Sequence, residues 1–419
     1  MKTSTKLVIA MGAGIWMIPI SEALAGIDIT AGDWKVDFSG NVNGFYVGTT
    51  CDHGTNTSVT GGLACTGDNS AAVRNGLLPA ALVFSASSRQ ADYDVNVTIG
   101  FYPGINSSAA AGVNGAGLPA ALQTPGIDAR QAFFTFGDVS WGTVKIGRDI
   151  GLFGKDAILD DMTLLGMGTA AGNAAPGNTS LGRIGVGYIY TDWEPQITYT
   201  TPTFGGFSAS AGVFQPLDAT SGTVSYISHN SPQVQVGGSF AWGDPKSDAL
   251  NGKIWVDVFT QHAKAVSTEV ATNNAAGISS DFTGTGVDGG VKIDVAGFEG
   301  VLYGYTGKGI GTTGFFILAT DASGDTRKSN GGYAQATYKI DKLKVGLSYG
   351  ISRLEQSNDE EALAATNLLK SNASGVFGLY YALTKSVNLV GEFIDTKAKA
   401  QNGNEATEKD FALGGIFFF

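Results

Sequence analysis

The sequence predicts an all-β fold: a single antiparallel transmembrane β-barrel of sixteen strands. Three observations predict it. Apolar residues recur at every second position in many segments, the connections between these segments alternate between short and long, and the last segment ends on an aromatic residue. Because lipid offers no water to satisfy an open strand edge, strands can cross a membrane only as a closed sheet.

The C-terminal segment, residues 410–419, shows the period of two most clearly. Phe411, Leu413, Phe417 and Phe419 share one parity, as in a strand with one apolar face. A chain that stops on such a strand, with an aromatic as its final residue, is typical of bacterial outer-membrane barrels. We therefore expect Phe419 to be the signal that the barrel-assembly machinery reads.

The N-terminus predicts export through a cleaved signal peptide. Lys2 and Lys6 precede an uncharged, mostly apolar run, and the small-x-small triplet at residues 23–25 fits a cleavage site before Gly26. The alternative, an uncleaved anchor, would need about 20 apolar residues, more than this run has. We expect residues 1–25 to be removed and the remaining chain, to residue 419, to form the barrel.

The composition is unusual for a soluble domain. Only 15% of the residues are charged, whereas about 25% is ordinary, and glycine is abundant at 61 residues. Such values fit strands with one lipid-facing side and long polar loops. The formal charge of −11 argues against nucleic acid as a partner, since phosphates require a basic surface. An acidic balance fits either a pore field that favours cations or simple solubility.

The two cysteines, Cys51 and Cys65, lie in one polar segment. Export to an oxidising compartment predicts that they form a disulfide. Closing a loop of this length should stabilise the fold by about 3 kcal/mol in the chain-entropy model. His53 is nearby without further ligands at suitable spacing, so we expect neither a metal site nor a cofactor.

The count of sixteen rests on segments separated by alternating short turns and long polar stretches. An even number places both termini on the same side of the membrane, and the short turns of outer-membrane barrels are periplasmic. An eighteen-strand count remains open if residues 268–283 contain a further hairpin. The predicted strands begin near Trp34, Pro79, Asp92, Asp128, Gly142, Glu194, Phe207, Pro232, Lys253, Gly286, Glu299, Gly331, Lys342, Ser374, Asn388 and Glu408.

A soluble β-sandwich would also alternate between polar and apolar positions. A sandwich of this length should divide into domains joined by linkers, and the sequence shows none. Aromatic residues also gather at segment ends, as at Phe133, Phe134 and Trp193, which fits the girdles of a membrane barrel. These features favour the barrel.

Two neighbouring motifs carry a family resemblance. The segment Arg130-Gln131-Ala132-Phe133-Phe134, a short turn, and the segment Gly142-Thr143-Val144-Lys145-Ile146-Gly147-Arg148 resemble the fourth and fifth strands of the general bacterial porins. The segment at residues 202–207 and the terminal Phe419 also match that family. The resemblance covers the whole mature chain in layout, and its motifs are specific near residues 130–149 and at the C-terminus.

The resemblance implies a homotrimer of sixteen-stranded barrels whose third loop, beginning at Gly151, folds into the lumen. Acidic residues of that loop would face basic residues on the wall and form a constriction. Arg148 shares parity with Val144 and Ile146, so it faces water only if Gly147 breaks the strand register. The residues expected at the constriction are Lys155, Asp156, Asp160, Asp161, Arg130, Arg148 and Arg89.

These patterns predict a passive channel for small hydrophilic solutes and ions in the bacterial outer membrane, with a weak preference for cations and with membrane lipid and lipopolysaccharide as neighbours. Two alternatives remain: a substrate-selective channel with a binding track on the third loop, and a surface adhesion protein anchored by its barrel. An enzyme is not expected. The glycine pattern at residues 284–289 precedes a strand and lacks the helix that a dinucleotide site requires.

Overall fold

The structure, a computed structural model, describes residues 26–106, 127–173, 178–221 and 224–419. The predicted signal peptide and most of the polar segment at residues 104–127 lie outside the described residues. Within them, sixteen strands form the barrel. They are β1 (Trp34–Thr50), β2 (Ala81–Gln90), β3 (Tyr93–Pro103), β4 (Ile127–Asp138), β5 (Gly142–Ile150), β6 (Trp193–Thr200), β7 (Phe207–Phe214), β8 (Gln233–Trp242), β9 (Asn251–Lys264), β10 (Asp281–Val295), β11 (Phe298–Lys308), β12 (Lys328–Ile340), β13 (Leu343–Leu354), β14 (Leu369–Ala382), β15 (Val387–Ala400) and β16 (Glu405–Phe418).

Each strand pairs antiparallel with the next, and the last strand returns to the first. β16 pairs with β1 from Asn41↔Phe418 to Thr50↔Lys409, which closes the sheet. The prediction of a closed barrel of sixteen antiparallel strands is thus confirmed. The eighteen-strand alternative is wrong, because the stretch between β9 and β10 folds into helix α2 (Ser267–Ala275).

The two faces of the strands differ as the alternation predicts. On β1, Asn41 and Asn43 are buried on the inner face, whereas Val42 and Tyr46 are more than half exposed on the outer face. The outer face of the neighbouring β16 presents Leu413 and other exposed apolar side chains in the same way. Among the described residues, no helix has both the length and the apolar character needed to cross a membrane.

The connections lie at two different ends of the barrel. At one end the strands meet in tight turns, such as Ala296–Gly297, where both residues adopt left-handed backbone angles (φ 49° and 84°) that match the twist of a two-residue hairpin. At the other end are the long loops. The first of these contains the predicted disulfide, which is confirmed: Cys51 and Cys65 are bonded, with their Cα atoms 5.0 Å apart.

The interior is not uniform around the barrel. Strands β5 to β8 are short, at 8 to 10 residues, whereas β9 to β16 have 11 to 15. On β9 to β12 the inner face carries large apolar side chains, including Phe259, Tyr303 and Tyr333, and these pack with Phe153 and Tyr188 of the third loop in one buried cluster. One side of the barrel therefore contains a hydrophobic core.

Candidate functional site

The third loop, residues 151–192, follows β5 and is held by side chains of the inner face. Gln235 of β8 accepts hydrogen bonds from the backbone N–H groups of Leu152 (2.7 Å) and Phe153 (2.9 Å). Asp288 of β10 accepts from the N–H of Gly154 at 2.6 Å. These bonds satisfy the backbone donors that would otherwise be orphaned at this turn.

The attachment continues along the later strands. Gln335 of β12 accepts from the N–H of Met162 at 2.9 Å. Glu392 of β15 accepts from the N–H groups of both Met167 and Gly168, each at 2.8 Å. On β16, Glu408 accepts from Gly172 at 2.9 Å. The third loop therefore contacts the inner face of the barrel from β8 to β16.

A short helix in this loop, α1 (Lys155–Leu159), presents two carboxylates one turn apart. Asp156 is helical and Asp160 caps the C-terminal end. Both pair with Lys253 of β9, whose Nζ lies 2.6 Å from Asp156 Oδ1 and 2.8 Å from Asp160 Oδ2. Lys292 of β10 lies 3.5 Å from the other oxygen of Asp160. This ion network ties α1 to the wall.

The electrostatic surroundings of the loop carboxylates differ. Burial acts to raise the pKa of Asp156, but Lys155 and Lys253 outweigh it and leave the pKa below its ordinary value. For Asp160, burial dominates over Lys253 and Lys292, and the pKa is raised. Asp161 is also buried, which raises its pKa; its side chain accepts from the N–H of Thr163 (2.9 Å) and from the hydroxyl of Tyr188 (3.0 Å).

A cavity of about 1310 Å³ lies between the third loop and the wall formed by β2 to β9. Its lining includes Asn178 and Tyr190, near the long-loop end of the barrel, and Val139 and Pro202 in the short turns at the opposite end. The cavity therefore reaches towards both ends of the barrel.

The predicted site residues fall into two groups. Lys155, Asp156 and Asp160 line the cavity on the loop side. Arg130 lines it at the long-loop end of β4, where its guanidinium lies over the rings of Tyr102 (5.6 Å) and Trp193 (6.0 Å). With Arg148, which also borders the cavity, the structure brings five of the seven predicted residues to one cavity.

The other two predicted residues, Arg89 and Asp161, do not line the cavity. Arg89 pairs with Asp94 (2.8 Å) and Asp138 (2.7 Å) beside the short turns, and Asp161 is enclosed behind α1. Arg148 borders the cavity, but the register of β5 with β4 and β6 is unbroken on both sides of Gly147. The pairing of β5 thus shows no register break at Gly147, and Arg148 nevertheless lines the cavity near the long-loop end of β5.

The charged wall residues were missed by sequence reasoning. Lys145 pairs with Asp149 on β5, Lys253 pairs with α1, and all three line the cavity. The alternation of the sequence could have identified Lys145, since it alternates with the apolar Val144 and Ile146 in the porin-like motif at residues 142–148. No group of three or more potential metal-ligating side chains occurs in the part of the chain that the structure describes.

Comparisons with known proteins agree with this architecture. The family model described as Gram-negative porin matches residues 21–401. The fold is similar to the outer membrane channel DcaP of Acinetobacter baumannii (TM-score 0.67, 16% identity, 94% of this chain and 100% of that chain covered). It is also similar to the anion-selective porin from Comamonas acidovorans (TM-score 0.58, 14% identity, 92% and 100% covered) and to Salmonella typhi OmpF in complex with daunomycin (TM-score 0.54, 14% identity, 94% and 100% covered). No curated protein sequence matches the chain.

Proposed function

Since the chain belongs to the Gram-negative porin family, we propose that its cavity is the diffusion path by which small hydrophilic solutes and ions cross the bacterial outer membrane. The observation that carries this proposal is the cavity itself, which reaches towards both the long-loop end and the short-turn end of a closed barrel. Family membership indicates a channel rather than an enzyme, and we assign no catalytic residues.

The third loop narrows this path. Its contacts with the inner face run from β8 to β16, so the open cross-section remains beside β2 to β9. Lys155, Asp156 and Asp160 stand on the loop side of the constriction, and Arg130 and Lys145 stand on the barrel wall. Opposed charges across a narrow lumen order water, and the charged side chains that line a pore set its preference among ions.

The lining favours cations weakly. Eight aspartates and five basic residues line the cavity. Most of the basic residues are already paired: Lys145 with Asp149, Lys253 with Asp156 and Asp160, and Arg130 with Asp128. An acidic excess in a confined space raises the local concentration of cations.

Recording in a planar bilayer tests both the proposed conduction of ions and the proposed preference for cations. The purified protein should give stepwise conductance, and a KCl gradient should give a reversal potential of the sign expected for cation preference. Lys155→Gln should increase that preference and Asp156→Asn should decrease it, a matched pair on one helix. An electrically silent barrel would refute the channel, whereas anion preference would refute the ionic assignment alone.

The N-terminal prediction and the assembly prediction belong to the same proposal. We propose that residues 1–25 are cleaved, so that N-terminal sequencing of the mature protein should begin at Gly26.

A trimer is proposed by analogy: a similar fold, Vibrio cholerae OmpT, is described in a trimer form. Cross-linking in detergent should then yield a species of three chains. The terminal Phe419, whose backbone bonds to Gly40, is proposed as the assembly signal, and Phe419→Ala should slow barrel assembly by the cellular machinery.

A basic belt supports lipopolysaccharide as a lipid neighbour. At the long-loop ends of β11 to β16, exposed and half-exposed basic residues lie on or beside the outer face, and Lys308 and Lys328 are direct neighbours across the ladder. Phosphate-bearing headgroups would relieve that like-charge contact. The belt consists of Lys308, Lys328, Arg353, Lys370, Lys397, Lys399 and Lys409.

Thermal unfolding with and without added lipopolysaccharide tests the belt. We expect lipopolysaccharide to raise the unfolding temperature of the native protein, and the double variant Lys308→Gln/Lys328→Gln to lose most of that increase. The matched control is Lys339→Gln/Lys342→Gln, which removes two exposed lysines from the short-turn end. An equal loss in both variants would show that the belt has no special role.

A further inference from the structure

The hydrophobic core does not stop at the cavity but forms part of its surface. Seven partly buried apolar residues pack against the core, and five of them also line the cavity. We call this set the apolar track. Its members are Leu78, Ile150, Leu159, Leu181 and Tyr190.

Another part of the cavity lining has a different chemistry. Three adjacent strands, β6 to β8, place hydroxyl side chains along the lining, and we call these the hydroxyl row. Thr200 faces Ser210 across the ladder with their hydroxyl oxygens 2.8 Å apart, and Ser208 faces Ser239. Hydroxyl groups both donate and accept, so they can replace the water around a solute that bears hydroxyl groups.

An ion path requires polar or charged lining groups, but it does not require an apolar track in addition to a hydroxyl row. Apolar side chains that border a water path remain wet, and any solute that covers them gains the free energy of removing apolar surface from water. Exposed apolar surface beside placed polar groups is the usual composition of a small-molecule site. Three of the five basic lining residues are paired with carboxylates, so an ionic solute would have to compete with existing pairs.

We propose that the cavity binds uncharged amphipathic solutes, which lay an apolar face on the apolar track and turn hydroxyl groups towards the hydroxyl row. This inference rests on the proposed channel function and adds the class of solute that the path prefers. Binding is brief, because the track covers one side of the solute only.

The test compares two neutral probes of related structure, glucose and phenyl β-D-glucoside, as blockers of the ion current through single channels in a planar bilayer. We expect phenyl glucoside to block at a concentration about ten-fold lower than glucose, as partial burial of one phenyl ring implies. Equal blocking concentrations in a conducting channel would overturn the inference while leaving the channel intact. A channel that conducts no ions would instead overturn the proposed function.

Variants locate the effect. Leu159→Ser and Leu181→Ser remove two members of the apolar track, and the double variant should reduce the ten-fold preference to less than about two-fold. Leu165→Ser is the matched control: Leu165 is a partly buried leucine of the same loop, but it packs against other clusters and does not line the cavity. The control should keep the preference. Loss of preference in the control, or its persistence in the double variant, would show that the track does not bind the solute.

Discussion

The two sides of this barrel share one sheet but enclose different interiors. Along β2 to β8 the wall faces the cavity with small hydroxyl side chains such as Ser208 and Ser210. Along β9 to β16 the wall is covered by the third loop, and residues such as Phe259 and Tyr333 are buried against it. We call these the hollow side and the filled side. The comparison shows that strand pairing closes the barrel, whereas the volume of the inward side chains decides where the path lies.

The filled side resembles the core of a soluble protein. Phe153 of the third loop meets Phe259 and Phe315, with ring centroids 6.0 and 5.8 Å apart. Polar side chains on the same side, such as Gln335 and Glu392, accept hydrogen bonds from backbone N–H groups of the third loop. Dense packing and satisfied backbone donors together fix the position of the loop.

The largest expected effect comes from breaking that packing. Phe153 is fully buried, and Phe153→Ala leaves a cavity beside the stacked rings of Phe259 and Phe315. We expect the free energy of unfolding to fall by about 3–5 kcal/mol. The measurement is denaturant unfolding in detergent micelles. Ser208→Ala on the hollow side should stay close to the native value, and a similar loss in both variants would erase the distinction between the two sides.

The ion network gives the next largest effect. Lys253→Met removes the cation shared by Asp156 and Asp160 and leaves buried carboxylates with fewer partners. We expect a loss of about 3 kcal/mol, with more frequent current fluctuations as α1 leaves the wall. Lys264→Met, near the long-loop end of the same strand, is the control. Steady current and native stability in Lys253→Met would show that packing alone holds the loop.

The sequence predicted the hollow side better than the filled side, for a physical reason. Alternation identifies a strand when one face meets lipid and the other meets water. On β15 the inward Val390 and Ile394 are buried against the third loop, so both faces are apolar over much of its length. In the sequence, residues 388–395 therefore fit neither parity cleanly, although they form part of the strand Val387–Ala400. The apolar residues of the third loop, Ile158 and Leu164, were the available sign of a core.

The site was predicted in part for the same reason. Asp156 and Asp160 could be placed because the resemblance located the loop on which they lie. Their partner Lys253 could not, since a contact between β9 and the third loop depends on how the loop packs across the barrel. Arg89 is a different case: it shares the parity of Ser85 and Ser87, which favours the lumen, but Asp94 and Asp138 pair with it beside the short turns.

A substitution on the hollow side should change conduction without changing stability. Ser210→Trp adds a large side chain to the lining of the cavity, so we expect the single-channel conductance to fall by roughly half while the unfolding midpoint stays near native. Val213→Trp, on the outer face of the same strand, is the matched control and should leave the conductance unchanged. Equal conductance in both variants would mean that ions do not pass beside β7.

The smallest expected effect concerns pH on the filled side. Burial raises the pKa of Asp161 above its ordinary value of 3.8, so the folded protein holds this proton more tightly than the unfolded chain does. The contribution of Asp161 to stability therefore declines as pH rises from about 4 through the folded-state pKa. Asp161→Asn removes that decline. Relative to native, the variant should therefore gain stability as pH rises above about 4.

For Asp156, in the same loop, we expect stability to depend on pH in the opposite direction. Lys155 and Lys253 outweigh burial and keep the pKa of Asp156 below 3.8, so its contribution is present above that value and is lost as pH falls through the folded-state pKa. Asp156→Asn should therefore lose stability at neutral pH, and its deficit should shrink in acid. The test is to measure the unfolding midpoints of both variants from acid to neutral pH. If the two midpoints changed with pH in the same way, the proposed contrast between the enclosed Asp161 and the wall-paired Asp156 would be wrong.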